Sequence, residues 1–293
     1  MDCIVLIAGG TGFLGQELKN HFTKAGWKVR ILTRNKKKTF GKAGFHYWDP
    51  SKEELDEKAL EGVTHLINLC GSGIADKRWT SSRKRELLNS RIEPAAFLRS
   101  KAALMPELQL YISASGINCF DTSSEQHYTE KDSMGTDFLS DLVSKWEEEA
   151  QKMEVHCPVL IWRIPMVIAN GKGALKKMEE PLLKGFGAIL GSGEQRIPWV
   201  HISDLLQAFE FGIKQQLKGI YHVNAGTTSL GEIMRLLARK NKKRLLPFRV
   251  PRWVVFLIFG EMASLLLEGI SASSEKLISE GFHFQQKELP KNI

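Results

Sequence analysis

A short apolar run at residues 3–7 leads directly into the segment Ala8-Gly9-Gly10-Thr11-Gly12-Phe13-Leu14-Gly15. This pattern predicts a buried strand, a sharp turn and a helix that continues to about Gly26. Glycines at such a turn let the backbone bend, approach a pyrophosphate closely and pack the helix against the strand. The N-terminus of the helix then presents unpaired N–H groups and a partial positive charge to an anion. We predict a dinucleotide-binding turn, and a purely structural turn is the alternative.

Strand-like and helix-like segments alternate through the first half of the chain, which is typical of a parallel sheet with helices on both faces. We expect further strands at residues 28–33, 45–48, 65–69, 108–113 and 158–163. We expect helices through Leu55 and Leu60, at residues 81–103 and at residues 138–153. The predicted fold class is α/β, a doubly wound parallel Rossmann sheet.

The sequence changes character after residue 165, where glycines become frequent around a helix expected near residues 174–183. A strand near residues 219–224 is expected to return to the main sheet, and the tail from Leu245 to carry a small helical cap. We therefore predict a nucleotide-binding domain at residues 1–165. A smaller, interleaved C-terminal lobe at residues 166–293 would serve as the substrate or cap lobe.

The formal net charge of the 293-residue chain is +8, which raises the question of a nucleic-acid partner. The basic residues lie in short clusters at residues 36–38 and 240–244, without interleaved aromatic residues or a nucleic-acid-binding motif. We interpret both clusters as solvated turns and expect no nucleic-acid partner. The first cluster would also raise the local concentration of an anionic cofactor.

Cysteine usage and hydropathy bear on the compartment. The cysteines are scattered and form no CxxC pair, at Cys3, Cys70, Cys119 and Cys157. This argues against a zinc site or a disulfide framework. Because there is also no room for a signal peptide before the first strand, we expect a cytoplasmic protein.

The longest apolar run, residues 253–259, is shorter than the about 20 residues of a bilayer span. We expect no membrane span. Residues 253–259 are better explained as a buried or surface-packed helix, with membrane or peptide association through residues 253–267 as the alternative.

The end of the second predicted strand distinguishes two nicotinamide cofactors. An acidic residue at this place binds the ribose 2′-hydroxyl of NAD, whereas an arginine accommodates the 2′-phosphate of NADP. The strand ends in Thr33-Arg34-Asn35-Lys36, with no carboxylate. A guanidinium can bind the phosphate and stack on the adenine. The sequence therefore favours NADP(H), and a solvated strand-end arginine is the alternative.

Motifs along nearly the whole chain carry a family resemblance. Besides residues 9–15 they are Asn68-Leu69-Cys70-Gly71, Ser113-Ala114-Ser115-Gly116, Arg78-Trp79, Ser90-Arg91, Lys145-Trp146-Glu147, Gly191-Ser192-Gly193, Pro198-Trp199-Val200-His201-Ile202, Leu267-Glu268-Gly269 and Glu280-Gly281-Phe282. By these motifs the chain resembles the extended short-chain dehydrogenase/reductase superfamily. Within it, the chain is similar to the atypical, sugar-nucleotide-epimerase-like subfamily, sometimes labelled cell-division inhibitor.

The resemblance implies cofactor-binding positions. Gly9, Gly12 and Gly15 would hold the pyrophosphate, and Phe13 and Leu14 are further cofactor-binding positions. The 2′-phosphate would bind at Thr33 and Arg34. Leu69, Cys70 and Gly71 would pass beside the adenine ribose, and Val167 would run under the nicotinamide. Glu86 and Arg91 match positions that line the cofactor pocket in the subfamily. An exposed helix face is the alternative for these last two residues.

Hydride chemistry in the superfamily usually relies on a serine or threonine, a tyrosine and a lysine. The resemblance places Ser115 at the serine position, ahead of Ser113, and Lys145 at the lysine of the YxxxK motif. Asp141 stands where that motif has its tyrosine. A carboxylate beside a lysine stays ionised and cannot donate a proton as a phenol does. Lys145 would then bind ribose hydroxyls without turnover, or be a surface lysine.

Other candidate groups are weaker. The tyrosine pair that the subfamily often carries is replaced by Cys119-Phe120. Tyr128 falls in a polar loop. His201 is expected to be a structural histidine at a strand end, with Ser203 or Asp204 capping the next helix, and a general acid is the alternative. Arg196 is either a clamp for a nucleotide-sugar diphosphate or an exposed loop charge.

Two functional hypotheses follow. The first is an NADP(H)-dependent oxidoreductase or epimerase-like enzyme that acts on a small molecule such as a nucleotide sugar, with Ser115 and Lys145 as catalytic residues. The second is an NADP(H)-binding sensor or scaffold with little or no turnover, which the missing tyrosine favours. A polar pocket with a proton donor would support the enzyme, and a pocket filled by Phe120, Trp199 and other apolar groups would exclude it. The oligomeric state, a homodimer included, stays open.

Overall fold

The computed structural model describes residues 3–39 and 43–290. The strands are β1 (Ile4–Ala8), β2 (Lys28–Thr33), β3 (Phe45–Asp49), β4 (Glu54–Leu55), β5 (His65–Asn68), β6 (Leu110–Gly116), β7 (His127–Tyr128), β8 (Val159–Ile164), β9 (Met166–Ile168), β10 (Arg196–His201), β11 (Gly219–His222), β12 (Gly226–Ser229) and β13 (Ser271–Ala272). The α-helices are α1 (Phe13–Lys24), α2 (Ser81–Ser100), α3 (Phe138–Gln151), α4 (Gly173–Leu183), α5 (Ile202–Lys214), α6 (Leu230–Lys240), α7 (Arg252–Phe259), α8 (Ala263–Leu267) and α9 (Glu275–Ser279).

The main sheet is built on apolar strands that helices cover on both faces. Within the described residues it has eight strands in the order β11-β8-β6-β5-β1-β2-β3-β4. Only the pair β3 and β4 is antiparallel. Strand β1 is buried from Val5 to Ala8, as expected of a central parallel strand. The predicted doubly wound parallel α/β sheet is confirmed.

The strand order reverses between β1 and β5. From β1 the chain moves to β2 and β3 on one side, whereas β5, β6 and β8 follow one another on the other side. In open α/β sheets, ligands bind in the crevice beyond the carboxyl ends of the strands at such a switch point. Gly9 and Leu69, the residues that directly follow these two strands, border this crevice.

The C-terminal part is interleaved with the first, as predicted. Strands β9, β10 and β12 form a second sheet in the order β12-β10-β9, while β11 returns to the main sheet and pairs with β8. The domain boundary at residue 165 stays a prediction. The helical cap packs on its lobe through Val255, Ala263 and Leu267, but the rest of α7 is largely exposed.

One predicted element is wrong. Instead of a helix through Leu55 and Leu60, the chain forms β4 and a single 3-10 turn at Glu57–Ala59. The side chains of Asp49 and Asp56 accept hydrogen bonds from backbone N–H groups two residues ahead, at 3.2 and 3.3 Å. Such local bonds compete with helix formation and limit the segment to short turns.

None of the helices among residues 3–39 and 43–290 is long and apolar enough to cross a membrane. All four cysteines are free thiols. Within the same residues, no group of three or more His, Cys, Asp or Glu side chains is arranged to hold a metal ion.

Candidate functional site

Close backbone packing explains the glycines after β1. Gly9 has a φ of +74°, and a Cβ there would lie 2.8 Å from the carbonyl carbon of Leu69. A Cβ at Gly15 would lie 2.4 Å from the Cα of Gly10. Both distances are shorter than real Cβ contacts, so the turn and the first turn of α1 can pack in this way only with glycine.

The N-terminus of α1 is uncapped by any side chain. Gly12 is the N-cap residue, and the first turn carries no acidic residue. A Cβ at Gly12 would meet only the carbonyl oxygen of Gly9, at 3.4 Å, so the space in front of the helix is open. The N–H groups of Phe13, Leu14 and Gly15 have no acceptors within the helix. Together they can bind an anion of the size of a diphosphate.

The end of β2 borders this crevice on one side. Thr33 is buried, and its Oγ1 accepts a hydrogen bond of 3.2 Å from the N–H of Asn35. Arg34 is exposed and makes no hydrogen bond or ion pair with any described residue. Its guanidinium lies close enough to the thiol of Cys70 to affect the pKa of that group. Arg34 is therefore a cation without a partner among the described residues, at the end of β2, and its binding of a 2′-phosphate stays a prediction.

The loop after β5 forms the other wall. The N–H of Leu69 donates to the carbonyl oxygen of Ala8 at 3.0 Å, and the N–H of Cys70 donates to Asn68 Oδ1 at 3.1 Å. Burial raises the pKa of the Cys70 thiol to about 12, although Arg34 opposes the shift. Cys70 is thus a neutral lining group at physiological pH.

Arg91 is buried behind this wall. It donates to the carbonyl oxygens of Leu87 at 2.8 Å and Ser72 at 3.2 Å, and a Cβ at Gly71 would lie 3.0 Å from its guanidinium carbon. It forms no ion pair with a described residue, and its Nε has no partner. Burial, reinforced by the nearby Arg83, lowers the pKa of Arg91 to about 10. The alternative of an exposed helix face therefore does not hold for Arg91.

Glu86, in contrast, is exposed on α2. It accepts a hydrogen bond of 3.3 Å from Ser72 Oγ and forms an ion pair of 2.6 Å with Arg83. The hydrogen bond from Arg83 lowers the pKa of Glu86. Glu86 consequently fixes the loop after Gly71 and leaves carboxylate surface open to solvent.

Ser115 and Lys145 are not brought together. Ser115 is buried at the end of β6 and donates to Glu147 Oε1 at 2.7 Å. Lys145 lies on the solvent side of α3 and binds Asp141 at 2.8 Å, with both side chains about half exposed. Their catalytic roles stay predictions, which this placement does not favour.

Another face of α3 points to the end of β6. Val143 packs against Gly116, and Glu147, four residues later, bonds to Ser115. A tyrosine and a lysine four residues apart on this face would stand at positions 139 and 143 or at positions 143 and 147, because residues four apart share a helix face. These positions hold Leu139, Val143 and Glu147, so the face carries neither residue type at them.

A buried ion pair lies beneath this face, which the sequence analysis missed. Glu147 and Arg163 are each only 3% exposed. Arg163 Nε and Nη2 donate to the two carboxylate oxygens of Glu147, both at 2.8 Å. Arg163 Nη1 also approaches Nε2 of the buried His222 at 3.5 Å, while His222 Nδ1 donates to the carbonyl oxygen of Ser273 at 2.9 Å. The network ties α3, β6, β8 and β11 together.

A small hollow lies beyond the end of β6, where a substrate and a tyrosine proton donor would be expected. Phe120 and Leu139 line it with the loop at residues 264–270. None of its described lining residues is a tyrosine. Tyr128 is buried, stacks on Phe120 and donates to the carbonyl oxygen of Asp121 at 2.8 Å. Trp199 does not fill this hollow, since it belongs to the core of the second sheet.

These features can be compared with known proteins. Residues 5–226 match the NAD dependent epimerase/dehydratase family. The chain belongs to this family. The match confirms the resemblance to extended short-chain dehydrogenases/reductases, and residues 250–291 match a domain of unknown function, DUF1731.

Two epimerase-family relatives match almost from end to end. The epimerase family protein YfhF of Bacillus subtilis is 31% identical over 290 residues, covering 97% of this chain and 95% of YfhF. The mouse epimerase family protein SDR39U1 is 30% identical over 295 residues, covering 97% of this chain and 96% of its own length. The human SDR39U1 structure (isoform 2), solved with NADPH, has a TM-score of 0.85 and 27% identity, and the match covers 99% of this chain and 97% of that one.

The remaining candidates of this epimerase-family chain have structural partners. Arg196 begins β10 and donates to the carbonyl oxygens of Glu125 and Ser124 at 2.9 and 3.0 Å, and its role as a diphosphate clamp stays a prediction. His201 ends β10 and has a structural role, as predicted, but the cap of the next helix was assigned wrongly. His201 itself is the N-cap of α5 and accepts from the N–H of Ser203, whereas Ser203 and Asp204 lie within the first turn. Val167 is half-buried in β9 beside Val200 of β10, and its place under a nicotinamide stays a prediction.

We expect acid to destabilise this epimerase-family protein through His222. Burial, reinforced by Arg163, lowers the pKa of His222 to about 3, whereas an unfolded histidine titrates near 6.5. The stabilisation is therefore complete above about pH 6.5 and is lost as the pH falls from there towards 3, at up to about 1.4 kcal/mol per pH unit. His65, whose pKa burial lowers to about 4, acts in the same direction.

Urea unfolding at several pH values measures this effect. His222→Asn, which keeps a hydrogen-bond donor, should flatten the decrease in the free energy of unfolding between pH 7 and pH 5. The exposed His156→Asn is the control and should leave the decrease unchanged. An equal decrease in wild type and His222→Asn would show that His222 does not remain neutral in the folded protein.

Proposed function

We propose that this chain binds NADP(H) across the N-terminus of α1. The observation that carries the proposal is Arg34, an exposed guanidinium without a partner among the described residues, at the end of β2 and beside the open helix N-terminus. No carboxylate stands there to bind a 2′-hydroxyl. The NADPH in the human SDR39U1 structure supports the same cofactor here.

The surrounding residues receive roles consistent with their placement. The N–H groups of Phe13, Leu14 and Gly15 would bind the pyrophosphate, and Leu69 to Gly71 would line the adenine ribose. The buried charge of Arg91 favours an anionic cofactor at this wall, and Glu86 offers a carboxylate to a ribose hydroxyl. Val167 would lie under the nicotinamide. When bound, NADP(H) supplies or accepts a hydride; the chain binds and orients it.

Exchange of Arg34 tests the choice of cofactor. Because a hydrogen bond to a charged group contributes about 1.5–3 kcal/mol, Arg34→Gln should weaken NADPH binding by about tenfold or more and leave NADH binding nearly unchanged. Lys37→Gln, an exposed cation in the adjacent basic cluster, is the matched control and should have little effect. Fluorescence or calorimetric titration measures both. NADH binding as tight as NADPH binding in the wild type would refute the role of Arg34.

The residues around Ser115 bear on whether the chain also catalyses a reaction. An oxidoreductase or epimerase acting on a small molecule, such as a nucleotide sugar, would use Ser115 and Lys145. The placement of Lys145 in solvent and of Leu139 and Val143 on the face towards β6 favours the second hypothesis, an NADP(H)-binding sensor or scaffold with little or no turnover. A screen of carbonyl compounds and nucleotide sugars with NADPH and NADP⁺ separates the two, since clear turnover of any of them would reject the second. A cytoplasmic location and a homodimer stay predictions.

A further inference from the structure

The second lobe exposes large apolar side chains on one side. Of the ten large apolar side chains that are exposed among the described residues, seven fall within residues 183–186 and 248–258. On α7 only Val255 is buried. Trp253 and Leu257, one helical turn apart on α7, are 70% and 71% exposed, and Phe186 is 72% exposed. Isolated exposed apolar residues are ordinary, but a contiguous group marks an interaction surface.

Backbone hydrogen bonds join the two segments into one surface. The N–H of Leu246 donates to the carbonyl oxygen of Gly187 at 2.8 Å, and the N–H of Val250 donates to that of Ile189 at 2.9 Å. Helix α7 follows directly after Val250. We call the result the apolar–basic surface, which consists of Leu183, Lys184, Phe186, Lys242, Lys243, Arg244, Phe248, Arg249, Arg252, Trp253, Phe256, Leu257 and Ile258.

The charge of this surface has one sign. Residues 181–193 and 241–260 contain six basic residues and no aspartate or glutamate. All six are exposed, and only Arg252 forms an ion pair within the described residues, with Glu268 at 3.7 Å. Of the neighbouring carboxylates, Glu179 and Glu261 are already bound to lysines, whereas Glu180 and Glu194 are exposed at the edge of the surface.

We infer that the apolar–basic surface binds the headgroup region of an anionic lipid bilayer. Tryptophan, phenylalanine and leucine side chains enter the boundary between headgroups and acyl chains, and flanking lysine and arginine are attracted to anionic lipids. A second copy of the chain fits less well. A two-fold interface places the same patch against itself, so that two surfaces with the same net positive charge would meet. The inference does not depend on cofactor binding.

Vesicle sedimentation tests this inference with the whole protein. The protein should sediment with vesicles of phosphatidylcholine and phosphatidylglycerol, bind at least about tenfold more weakly to pure phosphatidylcholine vesicles, and be released by high salt. The tryptophan emission should shift to the blue on binding. Trp253→Phe should remove most of this shift and keep most of the binding, because the other six tryptophans lie elsewhere.

Paired variants separate the surface from a general effect of charge. The double variant Trp253→Glu with Leu257→Glu should lose at least about tenfold in affinity for the anionic vesicles. The double variant Leu104→Glu with Val155→Glu, which adds the same charge at two exposed apolar side chains outside the surface, is the matched control and should bind as the wild type does. Thermal unfolding and NADPH titration show whether each variant is folded.

Three outcomes would overturn the inference. They are failure to bind anionic vesicles, equal binding by the double variant and the control, and equal binding to both vesicle types. A concentration-dependent dimer that the double variant abolishes, without vesicle binding by the wild type, would assign the surface to a second copy instead.

Discussion

Glu147→Ala is expected to lower the free energy of unfolding by about 3–5 kcal/mol, because removing one partner of a buried ion pair leaves the other charge uncompensated. Glu147 binds Arg163 through two hydrogen bonds of 2.8 Å and accepts a third of 2.7 Å from Ser115. Arg163 is 3% exposed, so bulk solvent does not solvate the charge that the lost carboxylate leaves behind. Its remaining neighbour, His222, is a weak acceptor at 3.5 Å.

Urea unfolding measures this loss, with a variant of a neighbouring glutamate as the control. Glu148→Ala changes an exposed residue of α3 that accepts only from Ser144 Oγ, and should cost about 0.5 kcal/mol or less. The double variant Glu147→Met with Arg163→Met should lose less free energy of unfolding than the sum of the losses of Glu147→Met and Arg163→Met alone. The reason is that neither buried charge remains in the double variant. If Glu147→Ala were no more destabilising than Glu148→Ala, the ion pair would not hold α3 on the sheet.

The sequence predicts the strands, the glycine turn and the helix that border the crevice, because these elements depend on local chemistry. The segment at residues 28–33 was expected as a strand, and β2 has the same bounds. The glycine turn and Arg34 follow from residue type and spacing along a short stretch of chain. Each of these predictions depends only on where a strand ends and the next helix or loop begins, which a few neighbouring residues determine.

The positions around Ser115 could not be predicted in this way. The pairing of Glu147 with Arg163 depends on the register that places Ser115 of β6 beside Arg163 of β8, which are 48 residues apart in sequence. The face of α3 that points to the sheet depends on helix phase. A YxxxK pattern anchored on Lys145 selects the solvent face, whereas the apolar spacing of Leu139 and Val143 indicates the buried one. An arginine at the end of an apolar strand was the one local sign of a buried partner.

The helix prediction for residues 50–60 was wrong for a different reason. Leu55 and Leu60 suggest a helix by their apolar character, but Asp49 and Asp56 bind the backbone two residues ahead. The sequence pattern alone does not show whether an aspartate will cap a long helix or stabilise only a short turn.

Gly12→Ala and Gly15→Ala are expected to separate cofactor binding from stability. A methyl group at Gly15 would lie 2.4 Å from the Cα of Gly10, so the turn must shift, at a cost of about 1–3 kcal/mol in the free energy of unfolding and with loss of NADPH binding. A methyl group at Gly12 meets only the carbonyl oxygen of Gly9, at 3.4 Å, and should cost about 0.5 kcal/mol or less. It would nevertheless occupy the space in front of the N–H groups of α1 and weaken NADPH binding by at least about tenfold.

Gly26→Ala completes the comparison. Gly26 has a φ of +83° and no atom within 4 Å of an added Cβ, so this change should cost about 1 kcal/mol of backbone strain and leave NADPH binding unchanged. Unfolding in urea and NADPH titration on the three variants should therefore give three different patterns: stability alone for Gly26→Ala, binding alone for Gly12→Ala, and both for Gly15→Ala. A Gly12→Ala protein that binds NADPH as tightly as the wild type would place the pyrophosphate away from α1. Because that variant keeps its fold, lost binding cannot be attributed to unfolding.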